Sequence, residues 1–179
     1  MNEKAFKISK RTSNEKTNKL RRDGYVPCIV YGESLTETIP VKIPFTTLLR
    51  LFKENTRGSI IPLDIDGEIK NCVVKDIQKS NLGEVIHVDF QSVEHNEIVK
   101  MKIPVNFLGE ESLESKNLIF EICTPDLEFH GNVEKIPELI EYDISGLNFE
   151  DKVFAKDICI PSGVELVTDP DTILAVVNA

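Results

Sequence analysis

The sequence predicts a mainly β protein: an N-terminal six-stranded β-barrel with one or two short helices, followed by a second β-rich domain. Two observations carry that expectation. Short apolar runs rich in Val, Ile and Phe recur along the chain, separated by Pro, Gly and Asn or Asp, the punctuation of strands and tight turns. The charge is also divided. Residues 1–91 hold 15 Lys and Arg against 12 Asp and Glu, whereas residues 92–179 hold 6 against 18, a net of −12. Two stretches of such different character read as two domains, expected at 1–92 and 93–179.

In the first half, strands are expected at residues 6–10, 28–31, 38–43, 60–65, 68–78 and 85–90. Asp66-Gly67, between the fourth and fifth, is a hairpin signal, because a two-residue turn of this kind needs positive φ at both positions. A helix is expected over 44–54, where Pro44 suits the first turn and Phe45, Leu48, Leu49 and Phe52 fall on one face. A shorter one is expected over 14–22, ending before Gly24. Six strands with so little helix suit closure into a barrel, which removes free edges. In the second half the alternation Val99-Lys100-Met101-Lys102-Ile103 marks a strand, and others are expected at 105–108, 118–122, 127–130, 139–144, 153–155, 164–167 and 173–177. Pro104, Pro125, Pro137, Pro161 and Pro170 mark the breaks. No internal repeat or low-complexity segment interrupts the pattern.

Composition removes several classes of function. A hydrophobic fraction of 41% with 28% charged residues belongs to a folded globular chain and not to a disordered one. No apolar run reaches the ~18 residues of a membrane span, and Met1-Asn2-Glu3-Lys4 leads into no apolar signal core, so a cytoplasmic protein is expected. Cys28, Cys72, Cys123 and Cys159 form no Cys-x-x-Cys pair, which argues against zinc and redox sites; they are expected to be reduced and mostly buried. Neither metal nor cofactor is expected.

Basic residues gather at the start of the chain. Lys4, Lys7, Lys10, Arg11, Lys16, Lys19, Arg21 and Arg22 stand against only Glu3 and Glu15 within residues 1–22. Such cations bind phosphate, and Arg holds two oxygens or a guanine edge in one plane, although a solvated surface is the bland alternative. In Ile86-His87-Val88-Asp89-Phe90, strand alternation puts His87 and Asp89 on one face while Val88 and Phe90 enter the core. No nucleophile or metal-spaced partner accompanies the pair, so catalysis is not indicated. An RNA contact is physically sound, since a carboxylate accepts from base amino and imino groups and imidazole stacks or donates. A simple surface His is the other reading. Tyr31 ends a strand before Gly32, a residue free to turn, and suits packing on a ribose or covering a barrel end. In Val74-Lys75-Asp76-Ile77-Gln78, alternation places Asp76 and Gln78 on one face with Val74, and Lys75 on the other with Ile77. Gln78 is then either a base reader or a surface amide.

Taken in order, Lys19-Leu20-Arg21-Arg22-x-Gly24-x-Val26-Pro27-x-Ile29-Val30-Tyr31-Gly32, Lys75-Asp76-Ile77-Gln78 and His87-Val88-Asp89-Phe90 resemble one family: the bacterial large-subunit ribosomal protein L-twenty-five, in its two-domain general stress protein (CTC) form. The likeness continues through Ile136-Pro137-Glu138-Leu139-Ile140-Glu141-Tyr142-Asp143-Ile144-Ser145 and Asp157-Ile158-x-Ile160-Pro161-x-Gly163-Val164.

The resemblance implies a six-stranded barrel that binds the loop E region of 5S rRNA in the central protuberance of the large ribosomal subunit. It also implies an RNA-contacting set of Arg11, Lys19, Arg21, Tyr31, Lys75, Gln78, His87 and Asp89. Expected partners are 5S rRNA and large-subunit proteins, with no membrane and no small-molecule substrate, and the chain is expected to be monomeric off the ribosome. The alternative is a stress-associated interaction module whose acidic domain docks a basic protein. A hydrolase built on His87 and Asp89 is disfavoured, because no nucleophile elbow, metal cluster or phosphate-cradling loop accompanies them.

Overall fold

The computed structural model describes residues 5–12 and 14–179, so Lys4 of the basic lead-in lies outside the described residues. The chain divides into two compact units, 1–97 and 98–179.

In the first unit, strands β1 (Phe6–Lys10), β2 (Tyr25–Tyr31), β3 (Ile39–Pro44), β4 (Ile61–Ile65), β5 (Glu68–Lys79) and β6 (Val85–Ser92) close into a barrel in the order β1-β3-β2-β6-β5-β4. Neighbours are antiparallel except β1 with β4 and β2 with β6. The predicted closed barrel is therefore the observed one. Period-two alternation sends Phe6 and Ile8, Val26, Cys28 and Val30, Val41 and Ile43, and Ile61, Leu63 and Ile65 into a common core with Val88 and Phe90. Asp66 (φ 52°) and Gly67 (φ 98°) both sit in the left-handed region and turn β4 into β5.

Helices α1 (Thr17–Arg22) and α2 (Phe45–Glu54) fall where expected, but α2 presents a different face. Leu48 and Leu51 are fully buried in the barrel core with Phe52 packed against it, while Phe45 and Leu49 are exposed. The pattern Phe45/Leu48/Leu49/Phe52 is thus rotated by part of a turn, because Pro44 still belongs to β3 and that strand fixes how the helix enters.

A larger correction concerns β5. Its register with β6 slips between Val74 and Asp76, making Lys75 the extra residue of a β-bulge. Simple alternation fails there. Val74 and Ile77 both turn toward the core, and Asp76 and Gln78 turn out.

The second unit holds a four-stranded sheet in the order β10-β7-β9-β12 and a three-stranded sheet in the order β11-β13-β8. The strands are β7 (Ile98–Leu108), β8 (Ile119–Ile122), β9 (Asp126–Asn132), β10 (Ile140–Asp143), β11 (Lys152–Phe154), β12 (Val164–Leu166) and β13 (Ile173–Asn178), with a short helix α3 (Glu110–Glu114). Pro104 does not break β7. Residues 98–104 pair with β9 and residues 105–108 pair with β10, so the proline stands where the ladder changes partner and no donor is missed. Val99, Met101 and Ile103 are buried in alternation with exposed positions on β7, and Leu127 and Phe129 with half-buried ones on β9.

Cys28 and Cys72 are buried in the barrel, and burial pushes both thiols up to about 12. Cys123 and Cys159 are exposed, so the expectation of mostly buried cysteines holds for only half of them: neither lies within a strand or helix that would carry it into a core. Among the described residues no helix is long and apolar enough to cross a membrane.

Candidate RNA-binding face

The outer surface of β2, β6 and β5 is assembled by register. Ile29 of β2 lies beside Asp89 of β6, which lies beside Asp76 of β5; one step along, His87 faces Gln78, and on the other side Tyr31 neighbours Gln91. Directly opposed residues in adjacent strands send side chains to the same face. Tyr31, Gln78, His87 and Asp89, drawn from three separate segments, therefore share one surface. Beneath it Cys28, Val30, Val88 and Phe90 anchor the strands in the core.

His87 Nδ1 and Asp89 Oδ1 approach to 2.7 Å. The contact is an ion-pair distance but lies off the line of a hydrogen bond, and neither buried atom has another hydrogen-bond partner. Both side chains remain about a quarter exposed, at 26% and 27%, so their outer atoms face solvent. Burial, together with the negative charges of Asp89 and then Asp76, raises the Tyr31 phenol above its ordinary pKa and keeps it a neutral donor.

Arg21 joins this surface from α1. Its Nε donates to the Ile86 carbonyl at 3.0 Å and its Nη1 donates to Asn18 Oδ1 at 3.2 Å, which pins the guanidinium beside the residue preceding His87. Arg11 follows β1, and its backbone N–H donates to the Pro40 carbonyl at 2.8 Å. Pro40 pairs with Ile29 and Ile29 with Asp89, so Arg11 stands at the level of Asp89, three strands away around the barrel.

Lys19 is not brought to this face. Leu20 is the buried residue of α1, so Lys19 and Arg21 flank it on opposite sides, and Lys19 borders a depression with Glu15 and Asp23. Lys75 occupies the bulge and is half-buried. Sequence reading put Asp76 on one face with Gln78, but with Val74 there too, and left Asp76 out of the RNA-contacting set. The bulge that turns it outward leaves no mark in a hydrophobicity pattern.

Among the described residues no cluster of three or more His, Cys, Asp or Glu side chains is arranged to hold a metal.

Two family descriptions match the chain: the Ribosomal L25p family over residues 6–90 and the C-terminal domain of ribosomal protein TL5 over residues 98–179. Among similar proteins, the large ribosomal subunit protein bL25 of Thermoanaerobacter sp. (strain X514) is 36% identical over 96% of this chain and 86% of its own length. Its namesake in Desulfitobacterium hafniense is 32% identical over 99% and 98%, and that in Caldanaerobacter subterraneus is 34% identical over 93% and 84%. These findings define a ribosomal protein, structural and not enzymatic. The chain belongs to the Ribosomal L25p family, in the two-domain form that carries the TL5 C-terminal domain.

Proposed function

We propose that this protein binds the loop E region of 5S rRNA within the large ribosomal subunit, through the outer face of β2, β6 and β5. Residues 1–92 would bind RNA and residues 93–179 would form a separate acidic part. The observation that carries this reading is the convergence of Tyr31, Gln78, His87 and Asp89 on one rigid sheet surface with Arg21 fixed at its margin. Side chains cannot read the deep, narrow major groove of A-form RNA, so a flat face with acceptors, donors and an aromatic suits an irregular internal loop read across its minor groove and backbone. Arg11 and Arg21 supply phosphate contacts that set the register, while His87, Asp89 and Gln78 meet base edges and ribose hydroxyls. Lys19 and Lys75 act as phosphate contacts at the periphery.

The second unit, with its excess of Asp and Glu, is repelled by phosphate and suits basic ribosomal proteins instead. Off the ribosome the chain would be a monomer.

The test is a titration of purified protein with 5S rRNA and with an unrelated structured RNA of equal length. The wild type is expected to shift 5S rRNA selectively, and His87→Ala with Asp89→Ala to weaken that binding roughly a hundredfold, the loss of two charge-assisted contacts. Unchanged affinity in the double variant would remove the face from the reading.

A further inference from the structure

Two carboxylates stand at the centre of a surface proposed to meet a polyanion. Asp76 and Asp89 are direct cross-strand partners on β5 and β6, and like charges so placed destabilise the pair. Arg21 is engaged with the Ile86 carbonyl and Asn18, and Asp89 meets His87. Cations stand around them: Lys75 beside Asp76 in the bulge, Arg21 on α1 and Arg11 beyond β2 and β3. Charge on this face is thus arranged as an acidic centre with basic flanks.

A carboxylate accepts hydrogen bonds and cannot donate them, and phosphate oxygens also only accept. An acidic centre therefore repels any RNA that would lay its backbone there, and it attracts guanine imino and amino groups or other exposed base donors. Basic flanks attract the phosphates on either side. A regular duplex rolled onto this face in an arbitrary register would bring phosphates against the carboxylates.

Resting on the proposed RNA-binding role, we propose that Asp76 is a specificity-determining residue, which with Asp89 rejects backbone phosphate from the centre of the face and admits only RNA that presents base donors there. The raised pKa of Tyr31 agrees with this placement, since both carboxylates act on that phenol. Asp76 is exposed, so its substitution leaves the barrel core intact.

The experiment measures affinities of the full-length protein for 5S rRNA and for the unrelated structured RNA, comparing wild type, Asp76→Asn, Asp76→Glu and Glu54→Gln. Glu54 lies on α2, outside the three strands, and controls for the loss of one negative charge. Asp76→Asn is expected to tighten binding of the unrelated RNA about fivefold, as removal of a like charge at contact distance does. It is expected to weaken 5S binding about tenfold through the lost acceptor. Discrimination then falls by more than tenfold, while Asp76→Glu and Glu54→Gln keep it near the wild-type value. A rise of both affinities by one common factor, or no change in either, overturns the role of Asp76 and leaves the RNA-binding reading standing. A wild type that fails to prefer 5S rRNA overturns that reading and this inference together.

Discussion

At the scale of single residues, the face depends on groups whose neighbours hold them in place. Arg21 would be one of several flexible basic side chains were it not tied by Nε to Ile86 and by Nη1 to Asn18. Asn18→Ala releases one of these restraints. It is expected to weaken 5S binding by severalfold, with most of the loss appearing as faster dissociation in surface-based kinetics. Arg21→Ala removes the charge itself and should reduce the slope of log affinity against log salt by about one. The Tyr31 phenol has its pKa raised by burial and by Asp89 and Asp76. Its folded-state pKa exceeds the unfolded one, so the associated stability is fully present below pH ~10 and is lost as the pH rises beyond it. Denaturation followed across the alkaline range should show a decline that Tyr31→Phe reduces.

At the scale of elements, much of the first unit could be read from alternating side chains and turn residues. All six barrel strands, both helices and the Asp66-Gly67 hairpin were visible, because each has a local cause in apolar periodicity or in φ preference. The pairing of His87 with Asp89 on one face was equally local. Three features were not local and were misread. The bulge at Lys75 depends on how β5 meets β6, the buried face of α2 depends on how β3 delivers it, and Pro104 sits inside a strand because β7 changes partner there. The bulge carries a measurable consequence. Deleting Lys75 would remove the extra residue and restore plain alternation with Val74 and Ile77 still inward and Asp76 and Gln78 still outward, so the barrel should keep its stability to within about 1 kcal/mol. Chemical denaturation would show it as a nearly unchanged midpoint.

At the scale of the whole chain, the two units differ in charge as well as in architecture. The average of −9 conceals a mildly basic first unit and a strongly acidic second one. A protein of the first unit alone, residues 1–97, is expected to bind 5S rRNA at least as tightly as the full chain at low salt, with the difference shrinking as ionic strength screens the acidic unit. Equal affinity of the isolated second unit would contradict that division of labour. The thiols provide an independent check on the fold: Cys123 and Cys159 should react with an aromatic disulfide reagent at neutral pH in the native protein, while Cys28 and Cys72, held near 12, should react only on unfolding.

Gly32 directly follows Tyr31, and the sequence suggested that its purpose is freedom to turn. The structure gives a different reason. A Cβ placed on Gly32 would stand 2.4 Å from the Ser92 carbonyl oxygen, far inside van der Waals contact, so the end of β2 lies against the end of β6 only because that carbon is absent. Spacing between Tyr31 on one strand and the His87–Asp89 segment on its neighbour is therefore gauged by a missing atom. A methyl group added there, touching no nucleotide and altering no charge, would wedge the two strand ends apart and blur recognition from behind, as a shim under one jaw spoils a caliper.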